Sequence, residues 1–357
     1  MTLTAGEKIT IINPETGSEM KLDLPSFGTI VSNLPFVANK KIPNDDKDII
    51  SGMLQNTDID GRSDLYCYIA IAISKILKAD GMLGIITSNS WLGTDAGASF
   101  IKAIRRKYDL MQVHISCKGR WFKNAEVVTT IMILKRKGEK AINDTQFLLW
   151  KKPLSEYRDR DEYERKLINS ALLGKELDSS IVEVATYSFS EMRDLLDLSI
   201  SYNALFHKIN WLLSIGNKME TIGKVFHVFR GSRRGWDDMF YPERGTHSIE
   251  SCYLRKVLKN ARNVDTLEAI ADNDAFCCGD SIADLTNTEM KGTLAWIDKF
   301  AGQKNGVGKL LPQVLKRNNM QWYEMKDTEI AEIFTMMNPD KRLFFSRFVT
   351  PSFVNQR

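Results

Sequence analysis

An α/β fold is what the first 150 residues predict, and three observations carry it. FGTIVSN (27–33), MLGIITSN (82–89), LMQVHIS (110–116) and VVTTIMILKRK (127–137) are short apolar runs, several rich in β-branched residues. Between the first two, Leu65, Ile69, Ile73 and Leu77 recur every four residues, which lines one face of a helix. Strands and helices alternate in that order along the chain, as they do in α/β proteins.

Each element follows from its residues. FGTIVSN ends in polar residues and reads as a buried parallel strand. A polar stretch rich in Asn, Asp and Lys follows (38–63). The helix after it opens at Asp64, where a carboxylate is favourable; Asp64 can cap the helix or line a ligand pocket, and the cap is the favoured reading, with Tyr66 and Ile76 beside the apolar stripe. Asp80 and Gly81 are expected to stop it. Thr94 or Asp95 can cap a second helix that buries Phe100, Ile101 and Ile104. TQFLLW (145–150) adds a strand. Trp91 is expected to pack beneath the end of the sheet, and His114, inside a strand, to be structural.

Composition narrows the function classes. The chain has 357 residues, 43% hydrophobic and 26% charged, enough for two domains at about 150 residues each. No apolar run approaches the roughly 18 residues of a membrane span, and the N-terminus lacks the pattern of a signal peptide. Five cysteines, with Cys277 and Cys278 adjacent and no CxxC, point to a reducing, cytoplasmic setting rather than a disulfide scaffold. Four scattered histidines give no support to a zinc site.

The organisation expected is a catalytic α/β domain over 1–150, a charged helical bridge over 151–199, and a third segment over 200–357 where glycines and aromatics are irregularly placed. Net charge supports the division: 19 basic and 16 acidic groups in the first part, 8 and 11 in the second, 22 and 18 in the third. The stretch 222–263 concentrates nine Lys and Arg against four Asp and Glu, an excess that an anionic partner would feel.

Ligands of open α/β sheets bind at the C-terminal ends of the strands. Two such ends stand out, Ser32-Asn33-Leu34-Pro35-Phe36 and Thr87-Ser88-Asn89-Ser90-Trp91. The first suits an exocyclic amine. The Asn33 side-chain oxygen can accept one N–H and the Leu34 carbonyl another, Pro35 stiffens the turn, and Phe36 can stack on a flat heterocycle. By itself the tetrapeptide also reads as a plain turn after a strand.

FGTIVSNLPF, SDLYCYIAIAISKILKADGMLGIITSNSWLGTDAGASFIKAI and GRWFKNAEVVTTIMILKRK, in that order and spacing, resemble the adenine-specific DNA methyltransferases of type II restriction-modification systems over residues 25–137. Those enzymes carry Asn-Pro-Pro-Tyr/Phe at this point and methylate the amino nitrogen of an adenine flipped out of the duplex, with S-adenosylmethionine as donor. The resemblance implies that Asn33 and the Leu34 carbonyl accept the adenine amine, that Pro35 holds the turn, and that Phe36 and Phe122 flank the flipped base. Leu34 departs from the family's proline, although the role there belongs to the backbone carbonyl.

The resemblance also implies a glycine-rich loop for the cofactor, which does not precede Phe27, so no cofactor-binding residues are assigned. Gly306 and Gly308 lie in a segment with no apolar strand before it and read as a turn. The expectation is therefore a partial doubly wound methyltransferase sheet, as a truncated chain, split subunit or gene remnant. It would be followed by an α+β target-recognition domain that binds double-stranded DNA. A second polypeptide would carry the cofactor half; alone, the chain would be a catalytically incomplete DNA-binding specificity module. In the family's sheet strand 27–33 pairs with the strand that leads into the glycine loop, so its edge here is expected to be open and prone to association. In FRGSRRGWDDMFYP, Arg230, Arg233 and Arg234 flank glycines and aromatics and are the expected DNA contacts.

Overall fold

The computed structural model describes residues 4–54, 59–122, 127–153, 180–232, 234–317, 319–326, 329–336 and 343–355. The chain divides into two compact units, Met1–Thr221 and Ile222–Arg357.

The first unit opens with a hairpin, β1 (Lys8–Ile12) and β2 (Glu19–Asp23). There follow β3 (Phe27–Asn33), α1 (Asn44–Leu54), α2 (Leu65–Ile73), β4 (Leu77–Ser88), α3 (Asp95–Lys107), β5 (Tyr108–Ser116), β6 (Thr129–Arg136), β7 (Asp144–Trp150), β8 (Val182–Ser188) and α4 (Phe189–Asp197). Six strands form one mixed sheet in the order β3-β4-β6-β5-β7-β8, confirming the α/β class. β3 runs parallel to β4, and β5 parallel to β7; β6 is antiparallel to both β4 and β5.

The apolar stripes read from the sequence become one core. Tyr66 and Ala70 of α2 and Phe100, Ile101 and Ile104 of α3 join Leu83, Ile85, Val113, Met132 and Phe147 of the sheet. Thr94 caps α3 by accepting the N–H of Gly97 at 3.1 Å. A β-carbon at Gly97 would lie 1.9 Å from the carbonyl oxygen of Trp91, so only glycine lets the helix start this close to the preceding turn.

Three expectations are corrected. The period-four stripe ends at Ile73, and Leu77 already belongs to β4, opposite Phe27. Asp80 and Gly81 make a bulge within β4 rather than a helix stop: Asp80 has φ 59°, and the β3–β4 register shifts between Phe27 and Thr29. β3 is parallel but not buried. It lies at the edge of the sheet, with Val31 83% exposed.

Residues 182–199, expected within a charged helical bridge, instead contribute an edge strand and a short helix to the first unit, and 200–221, expected to open the third segment, also belong to that unit, with Tyr202, Leu205 and Phe206 in its core. Val182, Val184, Ala185 and Tyr187 are buried there, so apolar contact with β7 sets the conformation. Ser188 and Glu191 form a capping box at the start of α4. Residues 154–179, most of that bridge, lie outside the described residues.

The second unit holds β9 (Leu254–Leu258), β10 (Glu268–Ala269), β11 (Asn273–Phe276), α5 (Ile282–Asn287), α6 (Lys291–Ala301), β12 (Ala331–Phe334) and β13 (Ser346–Val354). Its sheet runs β10-β13-β9-β11, with β12 also on β13, giving an α+β arrangement. Phe240, Phe276, Trp296, Phe300 and Phe353 build its core. Gly306 and Gly308 lie in a tight turn closed by the Lys304–Leu310 bridge, with Gly308 at φ 81°.

Among the described residues no helix is long and apolar enough to cross a membrane.

Candidate active site

The parallel pairing of β3 with β4 brings the ends of both strands to one end of the sheet, with Asn33 opposite Ile86. β6 starts where β4 ends, Thr129 opposite Ser88, and β5 ends where β6 starts. Asn33, the Ser88–Trp91 turn and the loop that carries Phe122 therefore leave the sheet at the same end.

At that end the Asn33–Phe36 turn is anchored by Leu34. Its side chain is buried, and its N–H donates to the Ile86 carbonyl at 3.3 Å. The neighbouring acceptors stay open. Asn33 is exposed, and among the described residues neither its side chain nor the Leu34 carbonyl has a hydrogen-bond partner. Pro35 is exposed and Phe36 half-buried. A leucine in the second position thus serves as an apolar peg into the core, while its carbonyl remains available.

Phe122 is 37% exposed, and among the described residues no ring contact joins it to Phe36. Residues 123–126, which follow it, lie outside the described residues.

Behind the turn is a polar network that the sequence reading did not assemble. Asp64 occupies the N-cap position of α2 with extended backbone but makes no side-chain cap bond, which corrects the expected cap. Its Oδ1 accepts the Asn39 N–H at 3.1 Å, and its Oδ2 accepts the Ser90 hydroxyl at 3.3 Å. Ser90 Oγ lies 2.6 Å from Ser88 Oγ and 3.1 Å from the Tyr66 hydroxyl. Burial pushes the Tyr66 phenol well above its ordinary range, so it stays protonated and able to donate. Beneath, Thr87 and Thr130 hydroxyls meet at 2.7 Å, and Trp91 donates its indole N–H to Thr130 Oγ1 at 3.1 Å. Trp91 is buried against Phe100 and Tyr202, as expected of a residue that packs under the sheet end. The repeated Ser-Asn at the ends of β3 and β4 was the available signal; the partner carboxylate was not.

The three arginines separate. Arg230 is exposed, and Arg233 lies outside the described residues. Arg234 is only 6% exposed, which corrects its expected place on a DNA-facing surface. Its Nη2 donates to the carbonyls of Leu315 and Trp322 at 2.9 and 3.0 Å, and its guanidinium sits 5.5 Å from the Phe240 ring. Desolvation lowers its pKa from the usual arginine range. Here the guanidinium joins distant segments of the second unit.

Residues 9–121 match the family described as Eco57I restriction-modification methylase. Over 116 residues the chain is 28% identical to the type II methyltransferase M.BanIII of Aneurinibacillus aneurinilyticus, covering 32% of this chain and 19% of that protein. The matched stretch is thus less than a fifth of the length of that curated relative. Among solved structures, the chain is similar to the type IIL restriction-modification enzyme MmeI in complex with DNA, with TM-score 0.45 and 11% identity over 92% of this chain and 40% of that one. It is also similar to the type IIG restriction endonuclease BpuSI, with TM-score 0.42 and 11% identity over 94% of this chain and 41% of that one.

Proposed function

We propose that the first unit carries the target-base half of a DNA adenine methyltransferase of a restriction-modification system. The observation that carries the reading is a pair of acceptors without a partner among the described residues, the Asn33 side chain and the Leu34 carbonyl, followed in the same turn by Phe36 at the C-terminal end of a parallel strand. The match of residues 9–121 to a restriction-modification methylase family supports it.

The chemistry follows from the geometry of an amino group. Its two N–H bonds donate to Asn33 and Leu34, which fixes the plane of the nitrogen substituents. The lone pair is then turned out of the base plane towards an incoming methyl group. Phe36 on one face and Phe122 on the other would hold the extruded base by stacking. No acid–base residue need be posited, because the proton that a methylated nitrogen must shed could pass to water. Alignment does the work, and such positioning is worth several kcal/mol.

S-adenosylmethionine is the methyl donor this reading implies, and its sulfonium supplies an electrophilic methyl. Among the described residues no strand ahead of β3 leads into a glycine-rich loop, so the residues present do not fit a complete cofactor site. The second unit would be the DNA-recognition part, with Arg230 and the basic stretch around it on phosphates.

The test uses a duplex with one adenine facing an abasic position, which spares the cost of unpairing. This chain should bind it more tightly than the fully paired duplex, because base extrusion costs a few kcal/mol. Equal affinity for the two duplexes would contradict the reading.

A further inference from the structure

The chain that leaves the Asn33–Phe36 turn is held by a side chain that the proposed reaction does not use. Upstream, the turn is fixed to β4 through the Leu34 N–H and the Ile86 carbonyl. Downstream, the next fixed points are Val37, whose carbonyl accepts the Leu65 N–H at 3.0 Å, and Asn39. Asn39 donates its N–H to Asp64 Oδ1 and its side-chain amide to the carbonyls of Gly61 and Ser63, at 2.8 and 3.2 Å. The second oxygen of Asp64 takes the Ser90 hydroxyl, and Ser90 belongs to the turn after β4. One carboxylate therefore bridges the segment after β3 and the segment after β4.

We propose that Asp64 is a positioning residue: by tying Asn39 to Ser90 it fixes the Asn33–Phe36 turn so that both acceptors meet one amino group. The inference rests on the reading of that turn as the amine site. Hydrogen bonds to an ionised acceptor are stronger than neutral ones, which suits a clamp on an exposed loop. Hydrogen bonds weaken steeply with misalignment, so a loosened loop forfeits recognition of the amine before it forfeits stacking of the ring. A carboxylate at the start of α2 would also favour the helix dipole, but that role bears on stability and is blind to the amine.

The experiment compares two labelled duplexes, one with adenine and one with purine, which lacks the amine, each facing an abasic position. Fluorescence anisotropy gives the ratio of affinities for the full chain. Two neutral hydrogen bonds at about 1 kcal/mol each predict a preference for adenine of about thirtyfold. Asp64→Ala should bring the ratio close to one, while affinity for the purine duplex stays within about twofold. Asp64→Asn keeps an acceptor for Asn39 and a group that can bond Ser90, and should restore most of the ratio. A global loss of structure would weaken both duplexes alike and leave no such pattern. If Asp64→Ala does not fold, Ser90→Ala decides, since Ser90 is exposed: a lowered ratio supports the clamp and an unchanged one overturns it. An unchanged ratio in folded Asp64→Ala overturns the positioning role and leaves the amine site standing. No preference in the unaltered chain overturns the amine site, and this inference with it.

Discussion

Trp150 donates its indole N–H to Nδ1 of His114 at 3.1 Å, and the two rings stack with centroids 6.1 Å apart. The other ring nitrogen, Nε2, then carries the proton and donates to Gln112 Oε1 at 3.2 Å. Both nitrogens are engaged in a neutral imidazole, inside the sheet on β5, three strands across from Asn33. Burial lowers the His114 pKa from 6.5 to about 4.

A pH dependence follows with a definite sign. Between about pH 6.5 and 4 the unfolded chain binds a proton at His114 that the folded chain does not, so stability falls as pH falls through that window. Other groups titrate there too, so the comparison is with His114→Gln. The drop in thermal midpoint from pH 7 to 4.5 should be smaller in the variant, by an amount equivalent to roughly 2–3 kcal/mol. Identical drops would show that His114 is not buried neutral.

Arg230→Ala and Arg234→Ala should differ in kind. Arg230 is exposed, and if it touches a phosphate its loss should flatten the salt dependence of duplex binding by about one unit. Arg234→Ala strands the buried carbonyl of Leu315, at a cost of about 1–3 kcal/mol, and removes the donor to the half-buried carbonyl of Trp322. It should lower the unfolding midpoint of the second unit. A normal midpoint with a flattened slope for Arg234→Ala would return that residue to the DNA surface.

The open edge of β3 should make the isolated chain self-associate. Val31 is 83% exposed and Phe27 also reaches solvent. Val31→Lys places a charge on that edge, a common device against edge pairing. Sedimentation should show concentration-dependent species for the unaltered chain and less association for the variant. Identical profiles would mean that this edge does not drive association.

What was legible in the sequence was local. FGTIVSN is β3 to the residue, and Phe100, Ile101 and Ile104 are buried in α3 as their spacing required. Leu77 misled because a spacing of four suits both a helix face and alternate positions of a strand; its pairing with Phe27 settled the matter. The burial of Arg234 depends on carbonyls more than eighty positions away. The Asp64 bridge likewise joins Asn39 and Ser90 across distant turns. Neither contact leaves a periodic trace. The Asn33–Phe36 turn was visible because strand, acceptor and aromatic are contiguous.

Whether Asn33 reads an adenine amine is tested most directly by calorimetry of this chain and its Asn33→Ala variant against the adenine and purine duplexes, each base facing an abasic position. Removing the side-chain acceptor should cost about 0.5–1.5 kcal/mol with adenine and nothing with purine. Phe36→Ala is the control for stacking and should weaken both alike, by about 1–3 kcal/mol. If Asn33→Ala binds the adenine duplex as tightly as the unaltered chain does, Asn33 to Phe36 is only a turn and the active site lies elsewhere.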